Sequence, residues 1–401
     1  MMRQKGASGL VQGRFKVHAR PAAESVSAFH SRRLFTDGAK VLITSAVRGR
    51  KTMNNTRIAM LAASMLVLAP SALRADPVAD FYKGKNITLY IGYTIGGGYD
   101  TYARLVGRHI GKHIPGNPTI VPKNTPGAGG RIAAAYVYNV APKDGTALCT
   151  SDQSLALQQA FGDKGIKFDT TKFLYIGNPN AGNNVVTLWH TTGVKTVEDA
   201  KKKTTILGAT GRNTSAYYPM VMNALLGTQF RVLIGYRGGS HINLAMEKRE
   251  VDGRGSNNWA SWKSTKRDWL RDKKINIIAQ VGPKKEADLP NVPLLTDLAK
   301  NDEDRKVMAL LSAPVAIGRP LFTTPNVPAD RVKALREAFD KTMKDPAFVA
   351  EAKKIDLEID PVSGAEMQKI VADIVATPKE TVNKLFKIIE QEVERRPGGK
   401  K

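Results

Sequence analysis

Ile87-Thr88-Leu89-Tyr90-Ile91-Gly92-Tyr93-Thr94-Ile95-Gly96-Gly97-Gly98-Tyr99-Asp100-Thr101-Tyr102-Ala103-Arg104 reads as a buried strand, a triple-glycine turn and the start of a helix. A strand that ends in glycines and feeds straight into a helix leaves several backbone N–H groups pointing at one spot, with the positive end of the helix dipole behind them. Such a spot attracts an anion. A second glycine turn, Pro126-Gly127-Ala128-Gly129-Gly130, precedes the apolar run Ile132-Ala133-Ala134-Ala135-Tyr136-Val137, so the arrangement recurs one unit later. Two such turns side by side make a clamp for a small carboxylate.

Downstream, short β-branched runs alternate with longer amphipathic stretches, the pattern of an α/β protein built on parallel sheets. Strands are expected at 119–121, 146–150 and 173–177, with a helix over 131–140. Ligands of open parallel sheets bind beyond the carboxyl ends of the strands, so both glycine turns and the polar turn Ser151-Asp152-Gln153-Ser154 should converge on one rim. The strand at 185–189, with its flanking Asn183-Asn184, marks a crossing into a second domain. There, 204–208 leads into Ala209-Thr210-Gly211-Arg212-Asn213-Thr214-Ser215 and a helix over 216–226. Likewise 230–235 leads into Tyr236-Arg237-Gly238-Gly239-Ser240 and a helix over 242–248, and 251–256 continues the sheet. Trp259, Trp262 and Trp269, spaced by three and seven, share one face of the next helix and read as a packing stripe rather than a ligand cage. Strands at 275–280 and 313–318 return the chain, helices follow at 331–344 and from Pro346, and a long surface helix over 377–396 closes it. Two crossings between α/β lobes give a bilobed body with its cleft at the hinge. Residues 76–182 with 310–401 form the first domain and 183–309 the second.

The formal charge of +25 comes from 61 Lys/Arg and 36 Asp/Glu, of which 13 and 2 fall in residues 1–75, leaving 48 against 34 beyond them. The basic residues are scattered singly or in pairs such as Lys284-Lys285, with no interleaved aromatic ladder, so they read as a solvated surface that attracts anions and not as a nucleic-acid face. Cys149, the single cysteine, excludes a disulfide framework and a cysteine-based metal site and reads as a small core residue. Met53-Asn54-Asn55-Thr56-Arg57, the apolar run 58–69, Pro70 and Ser71-Ala72-Leu73-Arg74-Ala75 have the three-part layout of a secretory signal cleaved after Ala75, and the run is too short to span a bilayer comfortably. Export to the periplasm is expected. Residues 1–52 read as a non-native or disordered upstream extension, produced by a start placed before Met53. An organellar presequence, rich in Arg and Ser, is the alternative.

Catalytic signatures are missing. Gly96 to Gly98 lack the G-x-G-x-x-G spacing of a dinucleotide fingerprint, no Walker lysine follows a glycine turn, and neither H-E-x-x-H nor G-x-S-x-G occurs. Asp100 stands in the first helical turn, where a carboxylate stabilises the dipole by about 0.3–1 kcal/mol; contact with a ligand amino group is its other reading. Arg212 is a solvated charge or a bidentate partner for a second carboxylate. Tyr236 meets a ligand or packs between the lobes, His241 caps or packs, and Arg104, a helical turn or more from the glycines, is structural.

Gly96-Gly97-Gly98-Tyr99-Asp100 through Ala103-Arg104, then Pro126-Gly127-Ala128-Gly129-Gly130, then Ala141-Pro142-Lys143-Asp144-Gly145-Thr146 resemble the tripartite tricarboxylate transporter solute receptors, the Bug-type binding proteins. The resemblance runs over nearly all of residues 80–390 and takes in Tyr236-Arg237-Gly238-Gly239 and Pro290-Asn291-Val292-Pro293-Leu294-Leu295. It implies a periplasmic binding protein of the type II fold, with two parallel-core α/β domains joined by a hinge. Such a protein closes on a small organic acid, a mono- or dicarboxylate, and hands it to the large and small membrane subunits of a tripartite permease. In that family the two glycine turns hold a ligand carboxylate through backbone N–H groups and ordered waters. Carried over by position, the ligand-binding residues are Ile95, Gly96, Gly97, Gly98 and Asp100, then Gly127, Ala128, Gly129 and Gly130, with Thr210, Arg212, Thr214, Ser215, Tyr236 and Arg237 from the second lobe. Ser151 joins them from the rim turn. The sequence departs from the family at Tyr93-Thr94-Ile95, where many members carry an aromatic residue and a proline, and at Arg212. The protein is expected to act as a monomer, as a binder and not an enzyme, without cofactor, metal or nucleic acid. An exported enzyme on the same fold, or a ligand sensor for a signalling partner, are the alternatives.

Overall fold

The computed structural model describes residues 76–395. The expected signal segment 53–75, residues 1–52 and the terminal 396–401 lie outside the described residues. In chain order the strands are β1 (Asn86–Ile91), β2 (Thr119–Asn124), β3 (Ala147–Thr150), β4 (Leu174–Asn178), β5 (Asn184–Trp189), β6 (Thr205–Ala209), β7 (Phe230–Ile234), β8 (Gly253–Asn258), β9 (Ile275–Val281), β10 (Leu321–Thr323) and β11 (Val362–Ser363). They form two sheets, ordered β11-β4-β10-β3-β1-β2 and β7-β6-β8-β5-β9.

Each sheet has the expected parallel core: β1 runs parallel to β2 and β3, and β6 to β7 and β8. Each also takes antiparallel strands, which the sequence reading lacked. β10 opposes β3 and β4, and β5 opposes β8 and β9. The cause is the route of the chain. β5 and β10 are the first strands it lays down after passing from one sheet to the other, so neither belongs to a right-handed strand–helix–strand unit that would force it parallel. β3 and β5 are buried at every position, as strands covered on both faces must be. Cys149 sits there, fully buried, and burial pushes its thiol pKa up.

Residues 313–318 do not form the expected strand. Pro314 opens a single tight turn, Ala313–Ala316, and the return strand begins only at Leu321. Val315 and Ile317 are buried, which gave the segment a strand-like composition, but a proline near the start of a helical turn costs no hydrogen bond and fixes its φ. The tryptophan stripe is likewise split: Lys266, at φ −144° and ψ 48°, separates the helices Trp259–Thr265 and Arg267–Arg271. All three tryptophans remain buried, with ring centroids 5.6 Å apart for Trp262 and Trp269 and 4.6 Å for Trp269 and Trp189 of β5. The last helix, Lys379–Glu394, turns Val382, Leu385 and Ile389 inward at spacings of three and four. It packs on the helices Thr214–Leu226 and Asp302–Ser312, so the tail grouped with the first domain rests against a helix that covers the second sheet.

The helix Pro346–Lys354 is fastened to the end of the helix Gly98–Ile110 by carboxylates. Asp345 is held by Lys112 and by His113 at 2.8 Å, and Glu351 by Arg108 and by His109 at 2.6 Å. Hydrogen bonds from Lys112 and His113 hold the Asp345 carboxyl well below the usual carboxylate range, and those from Arg108 and His109 lower Glu351. A carboxyl with a depressed folded pKa contributes stability above its unfolded value and loses it as the pH falls through the folded one. Stability is therefore expected to decline below about pH 4. The double variant Asp345→Asn with Glu351→Gln should flatten that decline, read as the urea midpoint against pH.

Candidate functional site

The two sheets approach each other through two pairs of turns. In the first pair, Thr94 Oγ1 lies 3.3 Å from Ser240 Oγ, which donates to the Ile95 carbonyl at 2.9 Å. In the second, Gly127, Ala128, Gly129 and Gly130 all have positive φ (148°, 46°, 65° and 94°), a run that glycine makes accessible. Gly129 stands against the 210–215 turn. A Cβ on it would lie 2.8 Å from Asn213 Nδ2, and one on Gly211 would lie 2.9 Å from Gly129 Cα. Glycine on both sides is what lets the two backbones touch.

Asp152, 4% exposed, ties this contact together. Its Oδ2 accepts from Tyr93 Oη at 2.7 Å and from Asn213 Nδ2 at 3.0 Å, while Oδ1 accepts from the Ser154 backbone N–H at 2.8 Å and from the Ser154 hydroxyl. Burial raises its pKa, and these donors pull it back.

Between the turn pairs lies a cavity of about 60 Å³. Tyr93, Tyr99, Gln153 and Arg319 line it from the side of the first sheet, and Asn213, Arg254, Asn257 and Ser261 from the second. The N-termini of the helices Gly98–Ile110 and Gly239–Glu247 also open onto it. They face each other closely, since a Cβ on Gly97 would come within 3.7 Å of Gly239 N.

Two guanidiniums and one carboxylate line the cavity, and the carboxylate, Asp152, has its oxygens taken by Tyr93, Asn213 and Ser154. Arg319, 5% exposed, donates to Asn180 Oδ1 at 3.2 Å and to Ser261 Oγ, with Tyr102 4.2 Å below the guanidinium. Arg254, which keeps some exposed surface, donates to Asn243 Oδ1 at 3.3 Å and stands 5.6 Å over Trp262. Among the described residues neither has a carboxylate partner, and the Nε of each is hidden without any acceptor. Burial pushes Arg254 down to about 10, and burial likewise lowers Arg319. A guanidinium with a pKa near that value is still a cation at neutral pH. The arrangement presents two positive side chains and two positive helix ends to whatever enters, which is chemistry for binding an organic anion.

Residues 102–387 match the sequence model of the tripartite tricarboxylate transporter family receptor. The chain belongs to this family. Its members are periplasmic solute-binding receptors for carboxylates that work with a membrane transporter, not enzymes. A Cupriavidus necator relative, named as the UPF0065 protein in the gbd 5′ region, is 27% identical over 334 residues, 81% of this chain and 95% of its own length. R. palustris Rpa4515 with adipate is 19% identical, covered to 98% against 76% of this chain, with a TM-score of 0.60. MatC from Rhodopseudomonas palustris with bound malate is 18% identical, covered to 99% against 76% of this chain, with a TM-score of 0.59. These structures share the bilobed, two-domain fold of periplasmic binding proteins.

Of the residues named from the receptor's sequence, the structure brings Gly97, Gly98, Thr210, Thr214 and Ser215 to the cavity. The others stand elsewhere. Ile95 is 68% exposed, and the Gly96 N–H is taken by Asp100 Oδ2 at 3.0 Å. Asp100 also accepts from Arg104 Nε at 2.9 Å and Asn124 Nδ2 at 2.8 Å, so it closes the glycine turn and does not line the cavity; Arg104 is its structural partner. Gly129 and the Ala128 backbone press on the opposite turn, while Gly127 faces Ile132 and Gly130 faces Ser151, whose Oγ donates to the Gly130 carbonyl at 2.8 Å. Arg212 points away from the cavity to an ion pair with Glu390. Tyr236 packs beneath β6, where a Cβ on Gly208 would touch its ring at 3.3 Å, and Arg237 is exposed.

Sequence reasoning missed the two cavity arginines. Arg254 had a signal: a charged residue in Gly253-Arg254-Gly255, inside a run read as a sheet strand, needs a reason to be there. Arg319 had none, because its segment was read as part of the chain's return. Tyr93 and Tyr99, whose rings stack at 4.6 Å, lay inside the decisive stretch but were not among the residues named for the ligand.

Proposed function

We propose that this receptor is exported on the segment 53–75 and captures a small organic acid, a mono- or dicarboxylate, by closing two lobes, 76–182 with 310–401 and 183–309. It then delivers the acid to the large and small membrane subunits of a tripartite permease. The observation that carries the reading is the pair Arg254 and Arg319, cations lining the cavity without a carboxylate partner among the described residues. The solved relatives with adipate and malate support the same ligand class. The acid gains hydrogen bonds from both lobes only in the closed form, and that difference in affinity is what drives closure.

A thermal-shift screen of aromatic acids, four- to six-carbon dicarboxylates, citrate and acidic amino acids tests this. At a hundredfold excess over its dissociation constant a true ligand adds about 2.7 kcal/mol of stability, enough for a shift of several degrees. No stabilisation by any acid, at concentrations far above the micromolar range, would remove the reading. Delivery is tested separately: deleting the membrane subunits should stop uptake of that acid while the receptor still binds it.

A further inference from the structure

We infer that the ligand carries two acid groups, one held by Arg254 from the second sheet and one by Arg319 from the first, and that this pair makes the receptor prefer dianions over acids of single charge. The inference rests on the reading of the chain as an acid receptor and asks what charge that acid bears.

Isolated buried cations are unstable unless something neutralises them. A guanidinium can neither accept a hydrogen bond nor shed its proton, so its partner must be an acceptor and preferably an anion. Asp152 is not that partner: its two oxygens are occupied by Tyr93, Asn213 and Ser154. The unsatisfied atoms around the cavity point the same way. Gln153 Nε2, Asn257 Nδ2, Arg254 Nε and Arg319 Nε are hidden without partners, and all four are donors. Arg319 sits beside the N-terminal Gly98 of one helix, where an added Cβ would lie 3.2 Å from its Nη2. Arg254 sits beside the N-terminal Gly239 of the facing helix, closer still. Each acid group would therefore meet one arginine and one helix end. Closing the lobes brings two positive assemblies together, and a single negative charge neutralises one of them. Two acid groups on a short skeleton neutralise both, and the small cavity volume suits a short skeleton.

The test is calorimetric titration of the full chain with succinate, malate and malonate against butyrate and propionate, and with inorganic phosphate as a dianion whose charge sits on one group. The diacids are expected to bind at least about thirtyfold more tightly than the matched monoacids, the scale set by leaving one buried charge unpaired. Phosphate should bind more weakly than succinate. Arg254→Met and Arg319→Met should each reduce diacid binding to the monoacid level while keeping or raising the ligand-free melting temperature, because each removes an unpaired charge. Arg254→Lys and Arg319→Lys, which keep the charge but not the fork, should fall between parent and Met variants. Monoacids that match the diacids would overturn the inference and leave the acid receptor standing. No binding by any acid would take both down. Met variants that keep the preference for diacids, or that both melt below the parent, would show that the guanidiniums hold the protein together and do not read the ligand.

Discussion

Gly129→Val is expected to weaken acid binding by at least about a hundredfold while the protein still folds. With the two turns in contact, a Cβ on Gly129 comes within 2.8 Å of Asn213 Nδ2 and 3.4 Å of Gly211 Cα, before the two γ-methyls are counted. Asn213 has no room to retreat, since it donates to Asp152 at 3.0 Å and to Thr210 Oγ1 at 3.0 Å. The collision exists only where the two turns meet, so on the proposed lobe closure the variant is penalised in the closed state and spared in the open one. A receptor whose competent state is rarely populated binds in proportion to that population. A β-branched residue at φ 65° also adds backbone strain of roughly 1–2 kcal/mol in both states, which lowers the melting temperature without unfolding the chain. Titration with the acid found by screening gives the affinity, and small-angle scattering with and without it gives closure. Normal affinity together with normal closure would show that the 127–130 turn plays no part in trapping the ligand. Gly97→Val acts differently. Its Cβ would be 3.7 Å from Gly239 N, an ordinary contact, so the loss there comes from methyl groups filling the cavity and should be smaller.

How far the sequence speaks depends on the range of the interactions that decide each feature. The strand, glycine turn and helix at 87–104 were legible because every determinant is local: β-branched residues, then Gly96 at φ 82°, then a helix whose first turn carries Asp100. The alternation of strands with helices was legible for the same reason. Direction was not. Which way β10 runs depends on where the chain has been, and three residues of strand carry no record of it. Side-chain facing within turns was equally hidden. Arg212 and Asn213 are neighbours, yet Arg212 reaches Glu390 on the tail helix while Asn213 reaches Asp152 across the cleft. The site itself is the least local feature. Arg254 comes from a central strand of one sheet and Arg319 from the entry to the other, and only tertiary folding makes them neighbours.

That dependence of the site on the core is what Trp262→Ala exposes. Trp262 is fully buried, its ring 5.6 Å from that of Trp269 and 5.6 Å beneath the Arg254 guanidinium. Removing a buried indole is expected to cost about 3–5 kcal/mol, from lost transfer energy and the cavity left behind. Against a typical domain stability of about 5–15 kcal/mol, that is a large fraction of the whole. The urea midpoint should fall sharply, with an unchanged slope if the transition remains two-state. The same deletion takes away the aromatic face under Arg254, so the acid affinity measured where the variant is still folded should fall as well. Trp262→Phe separates the two effects of ring and polar atom. It keeps an aromatic floor and discards Nε1, which has no hydrogen-bond partner among the described residues, so it should be far milder on both counts. A loss below about 1 kcal/mol for Trp262→Ala would mean that the stripe is not core, against the burial seen at all three tryptophans. A large loss of stability with unaltered acid affinity would instead mean that Arg254 is positioned by Asn243 alone.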